Sequence, residues 1–229
     1  MKINLILLLL FISTIYSLSQ RPISPEFDKL WEDFRFEKFA EGEHLNNNQN
    51  YKGSPYLDFD ENSCALILLN AQKIEGLTIR YNIYHDQMEL KREGIYYVIP
   101  RQKELAAFQL AGHHFKYLIF SDKNQITTGN LEVLTEGKCT LYKQFHVFLA
   151  DAQPAKPYQE PKPAEFKSKA STYFIGVEEK TPIKIKNGKD LLGLLPDHHD
   201  EMALFIKTNK LTFRQEDDFI KAIAYYNSL

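Results

Sequence analysis

The 229-residue sequence holds little of what usually carries chemistry: two cysteines, one tryptophan and seven histidines. There is no C-x-x-C pair, which leaves redox catalysis by a dithiol without its usual pattern. A G-x-S-x-G elbow, an H-E-x-x-H helix, a P-loop and a G-x-G-x-x-G turn are likewise absent, so the common hydrolase, zinc-protease and nucleotide-binding signatures are missing. A catalytic triad from distant positions has no local signature to support it, so the reading leans away from an enzyme and implies no cofactor. The formal charge of −2 gives no electrostatic case for nucleic acid or an anionic membrane as partner. An apolar run runs from Leu5 to Ile12 but stops well short of the roughly 20 residues of a membrane span.

That run follows Lys2 and precedes the small residues Ser17 and Ser19, the pattern of a secretory signal peptide over residues 1–19. The expected mature chain begins at Gln20, has no transmembrane span and enters an exported compartment. Its roughly 210 residues suit one large domain, or one domain with an appendage.

Residues 20–50 read as an N-terminal helix and a polar loop. Ser24-Pro25-Glu26 gives a cap, a first-turn proline and an acid. Phe27, Leu30, Trp31 and Phe34 recur with helical spacing, predicting a helix from Pro25 to Ala40 that covers a sheet. Residues 51–186 change to short apolar runs separated by turn residues, an antiparallel β domain. Cys64 to Leu69 reads as a buried strand, and Leu77, Ile79, Tyr81 and Ile83 alternate with polar residues as a half-buried one. Turns at His85-Asp86 and Glu93-Gly94 predict a meander with Met88 to Lys91 and Ile95 to Ile99. Further strands are predicted at Phe115 to Phe120, Ile126 to Leu134 and Cys139 to Phe148. A hairpin of Ser171 to Val177 with Pro182 to Lys186 follows a proline-rich loop over residues 152–166. Residues 187–229 read as a tail of three short helices. The whole is an α+β fold: a meander-rich antiparallel sheet, sandwich or partial barrel, with a covering helix and a helical tail.

The stretches "KGSPYL" (Lys52 to Leu57), "GLTIRYNIYHDQMEL" (Gly76 to Leu90) and "FIKTNKLTFRQEDDFIKAIAYYNSL" (from Phe205) resemble a group of exported proteins of Bacteroidota-type bacteria. The likeness spans about residues 50 to 229 and implies a signal peptide, a β-meander and a helical tail. No activity and no functional residue comes with it. It implies the periplasm or cell envelope in preference to extracellular release, because the C-terminus reads helical where a β-type sorting domain would stand.

Candidate sites are few. Arg80, Asn82 and Tyr84 share the polar face of one strand and could recognise a ligand, although such a face is ordinarily solvated or paired across strands. In "LPDHHDEM", His198 reaches Glu201 at i+3 and forms a candidate metal pair. Against it, Asp197 reads as an N-cap, with Asp200 and Glu201 complementing the helix dipole. His113 and His114 point to opposite faces of a strand. Cys64 and Cys139 are a candidate disulfide in an exported compartment, or two buried thiols. These readings favour an envelope accessory or binding protein. The alternatives are a periplasmic carrier of an apolar small molecule or lipid, marked by an apolar cavity with convergent polar groups, and an exported hydrolase with a dispersed site.

Overall fold

Glu93 and Gly94 both take positive φ, 53° and 82°, between the paired residues Arg92 and Ile95. Such two-residue turns match the twist of a hairpin, and this one joins β5 (Gln87–Arg92) to β6 (Ile95–Val98). A computed structural model gives the fold and describes residues 25–33, 37–38, 51–58, 61, 64–101, 105–123, 125–155, 157, 160–178 and 180–229. The expected signal peptide lies outside these residues. Residues 1–35 and 36–229 form separate compact units. In the first, α1 (Pro25–Asp33) carries Phe27 and Trp31 with ring centroids 6.1 Å apart, the contact that i, i+4 spacing dictates.

The helix is shorter than its periodicity predicts. Within the second unit Glu37–Lys38 forms β1, pairing Glu37 with Val98 and Lys38 with Tyr97. The predicted helix reached Ala40, and the pairing of Glu37 and Lys38 with β6 is incompatible with helix at those two residues. β4 (Ile79–Asn82) completes a four-stranded sheet of order β1-β6-β5-β4.

The larger sheet takes β2 (Cys64–Leu68), β3 (Lys73–Leu77), β7 (Leu105–Leu110), β8 (His113–Asp122), β9 (Gln125–Thr135), β10 (Cys139–Ala150), β11 (Glu165–Val177) and β12 (Ile183–Ile185). Its order is β12-β11-β10-β9-β8-β7-β2-β3, and β12 also meets β8 through Ile183 and Ser121. This last pairing, with Ser121 N–H donating to Pro182 O at 2.8 Å, closes β8 to β12 into a ring. Phe120 and Phe174 meet across it at 4.7 Å, packed with Leu131, Leu118 and Tyr142. The α+β, meander-based architecture is therefore the observed one.

Two strands differ from their predicted form. The alternating run from Leu77 to Ile83 is not one half-buried strand: Leu77 pairs in the large sheet with Cys64, the chain crosses at Thr78, and Ile79 to Asn82 are buried in the small sheet. β11 begins at Glu165, within the predicted loop, because its first residues pair with the far end of β10 as a two-stranded ribbon. Gln153 and Lys162 exchange backbone hydrogen bonds of 2.9 Å across the base of the proline-rich excursion.

The "KGSPYL" stretch runs along the outer edge of β4. Leu57 N–H donates to Tyr81 O and Ile83 N–H to Pro55 O, while Lys52 exchanges backbone bonds with Ala164 and Phe166. Gly53 has φ +75°, and a Cβ there would lie 2.5 Å from the Phe166 carbonyl oxygen, so only glycine fits.

The tail forms α2 (Gly188–Leu194), α3 (His199–Thr208) and α4 (Glu216–Ser228). Asn187 caps α2 by accepting from Lys189 and Asp190 N–H. Leu191, Met202, Phe219, Ile223 and Tyr226 pack against Cys139, Leu141 and Ile175, the face of β10 and β11 opposite Tyr142 and Phe174. Thr212-Phe213-Arg214-Gln215 fits a capping-box pattern, yet it is Asp218 that reaches back to accept from Thr212 N–H, Thr212 Oγ1 and Phe213 N–H. Phe213 has φ +58°, so the backbone turns too sharply for the box geometry. Among the described residues no helix is long and apolar enough to cross a membrane.

Candidate ligand-binding site

β9 and β10 pair only from Glu132 to Thr135, opposite Lys143 to Leu141. Beyond Glu132 the strands part, and the Asn130 N–H on β9 needs an acceptor from elsewhere. The turn between β4 and β5 supplies it. Asp86, in the left-handed region at φ 53°, accepts from Asn130 N–H at 3.2 Å on each carboxylate oxygen. Its Oδ1 also takes Tyr81 OH at 2.8 Å and Asn130 Nδ2 at 3.1 Å. Asn130 Nδ2 and Arg101 Nη2 both donate to the Asp86 carbonyl oxygen, at 3.0 and 2.9 Å. The approach is so close that a Cβ on residue 129 would lie 2.9 Å from Asp86 Oδ2 and would have to displace that carboxylate.

Burial pushes the Asp86 carboxyl above the usual carboxylate range, against the opposing pull of Tyr81, Asn130 and Arg101. Burial also lifts the Tyr81 hydroxyl, and the neighbouring Asp86 charge adds to it. Asp86 thus joins the two sheets and stands at one wall of a cavity of roughly 380 Å³. Met88, Val98, Ile99, Pro100, Leu105 and Phe108 form its apolar walls. His85, Asp86, Gln87, Arg101, Tyr117 and Asn130 bring the polar groups. Ligand pockets typically occupy about 300–1,000 Å³ with this mix of apolar wall and few polar groups. Arg101 lies over the Tyr117 ring, 4.8 Å from its centroid.

The residues singled out from sequence stand elsewhere. Arg80 donates through Nε to Glu89 Oε2 at 2.6 Å and is held between the rings of Tyr56 and Tyr96, at 4.1 and 3.5 Å. Asn82 Nδ2 donates to Glu89 Oε1 at 3.0 Å. Both sit inside the protein, so this face of β4 is neither solvated nor open to a ligand. Tyr84 lies beyond the strand, edge-on to Phe166 at 5.5 Å. The adjacent turn residues His85 and Asp86 line the cavity instead.

His198 and Glu201 are brought together through Nδ1 and Oε2, as their spacing requires. His198 itself is the residue preceding α3, in the left-handed conformation, and no side chain caps the helix. Asp197 is not the cap because it accepts from the buried Tyr226 hydroxyl at 2.7 Å. Among the described residues, no three His, Cys, Asp or Glu side chains gather where a metal ion could bind. His113 meets Glu132 through Nδ1, while burial lowers the pKa of His114.

Cys64 and Cys139 are buried and not joined in a disulfide, so of the two readings it is the pair of buried thiols that the structure shows. Cys64 lies in β2, where Sγ donates to Glu61 and Ile79 carbonyl oxygens; Cys139 starts β10 under the tail. Burial pushes the Cys139 thiol up to about 12. Sequence reading missed Arg101 and Asn130 and saw Asp86 only as a turn. A lone Asn between strand residues of β9 was the available signal. No protein family, curated protein or solved structure matches this chain.

Proposed function

We propose that this chain is an exported binding protein of the cell envelope that takes a small, largely apolar molecule into the Asp86 cavity without transforming it. The observation that carries the reading is the cavity itself, with apolar walls and polar groups converging from β4–β5, β9 and the segment after β6. Its described lining has no serine, cysteine or lysine to act as a nucleophile. The Asp86 carboxylate is already engaged by Tyr81 and Asn130, which suits it to holding the two sheets in place. Export rests on the apolar run after Lys2 and on the resemblance to exported Bacteroidota-type proteins.

Native mass spectrometry of protein purified from its own envelope tests the reading. The expected result is a retained small molecule in wild type that is lost in Leu105→Trp, a substitution that fills the cavity. A preparation with no added mass, whose melting temperature no amphiphile raises, would overturn it. Fractionation with N-terminal sequencing tests the export step, with Gln20 expected as the first residue.

A further inference from the structure

We infer that the polar end of the ligand is an oxyanion, a carboxylate or phosphate, held by the guanidinium of Arg101. The inference rests on the binding reading above and follows from which polar groups at the cavity are already engaged. Acceptance by Asp86 is taken up: its carboxylate oxygens receive Tyr81 OH, Asn130 N–H and Asn130 Nδ2, and its carbonyl receives Asn130 and Arg101. Tyr117 OH donates to Thr128 Oγ1 at 2.7 Å. Arg101 differs. A guanidinium carries five N–H donors in a fixed fork, and its hydrogen bond to the Asp86 carbonyl uses Nη2 alone.

The nearest Asp86 carboxylate oxygen stands 3.5 Å from Nη2, longer than a charge-assisted hydrogen bond. The Arg101 side chain is 47% exposed, so an entering group can reach it. The cation–π contact with Tyr117, at 4.8 Å, keeps the guanidinium at the cavity wall. A cationic head group would meet Arg101 unfavourably, and a neutral hydroxyl could fill at most part of the fork's remaining N–H donors. An anion with an apolar tail satisfies both the fork and the walls formed by Met88, Ile99, Leu105 and Phe108.

Titration calorimetry with decanoate, decyl phosphate, decanol and decyltrimethylammonium tests this, with acetate and inorganic phosphate as head groups alone. Decanoate or decyl phosphate should bind at least about tenfold more tightly than decanol, the size expected of a charged hydrogen-bonding pair. The tighter of the two anions identifies the head group. Arg101→Met should abolish the preference, Arg101→Lys should restore part of it, and acetate and phosphate alone should bind weakly. Decanol or decyltrimethylammonium binding as tightly as the anions, or an unchanged preference in folded Arg101→Met, would overturn the inference while leaving the cavity reading in place. Acetate or phosphate binding as tightly as its decyl form would overturn the amphiphile. If no tailed compound binds wild type, or Leu105→Trp binds them as before, the cavity reading falls and this inference with it.

Discussion

Glu89 is fully buried and anchors both Arg80 and Asn82, so its loss leaves a cation in the protein interior without its carboxylate. Removing one partner of a buried ion pair costs about 3–5 kcal/mol. Glu89→Ala should therefore lower the unfolding free energy by about 3 kcal/mol in urea titration, and a loss under about 1 kcal/mol would mean that water reaches Arg80. Asp86 acts in the opposite sense. Its carboxyl titrates higher folded than unfolded, so its contribution to stability is complete below about pH 4 and is lost as pH rises through the folded value. Asp86→Asn should gain on wild type as pH rises above about 4, and a difference independent of pH would refute the assignment. The thiols give a third test: two free thiols per denatured, unreduced chain, with Cys139 unlabelled by iodoacetamide until unfolding.

At the scale of elements, α4 does more than cover the sheet. Asn227 accepts from Cys139 N–H and donates to Cys139 O, both at 2.8 Å, so it completes the backbone bonding at the start of β10. Asn227→Ala should cost about 1–3 kcal/mol, because the Cys139 N–H and C=O lose their partner. Amide exchange at Cys139 should rise in that variant by more than at Phe174, and equal protection in variant and wild type would remove this role. The hairpin of β5 and β6 was legible because Glu93-Gly94 is itself turn chemistry, and the α4 face because Phe219, Ile223 and Tyr226 recur locally. β7 was not, since its Ala106-Ala107 pair carries little strand preference and its place is set by β2 and β8. Alternation reported only that Arg80 and Asn82 share a polar face, solvated or paired across strands; Glu89 on β5, which bonds both, and Tyr56 in the edge stretch make it the paired one. The cavity was illegible for the same reason: Asp86, Arg101 and Asn130 meet only because β9 and β10 part.

At the scale of the molecule, ring closure depends on residues far apart in sequence. Ser121 and Ile183 pair although β9, β10 and β11 lie between them in sequence. Hairpins such as β8–β9 form from neighbouring residues, in about 1–10 μs. The parallel join to β12 must wait, and chains dominated by distant pairings fold in roughly milliseconds to seconds. Until then Phe120 and Phe174 are left without each other. Stopped-flow refolding should therefore show circular dichroism recovering before fluorescence of a decanoate-type probe bound at Arg101, because the cavity requires β4–β5 to dock on the opened flank of β9. Ser121→Pro, which deletes the N–H given to Pro182, should slow the second phase and leave the first nearly unchanged. On this order of events the chain would pass through an interval in which its strands exist and its cavity does not, and during that interval the aromatic interior is open to other chains.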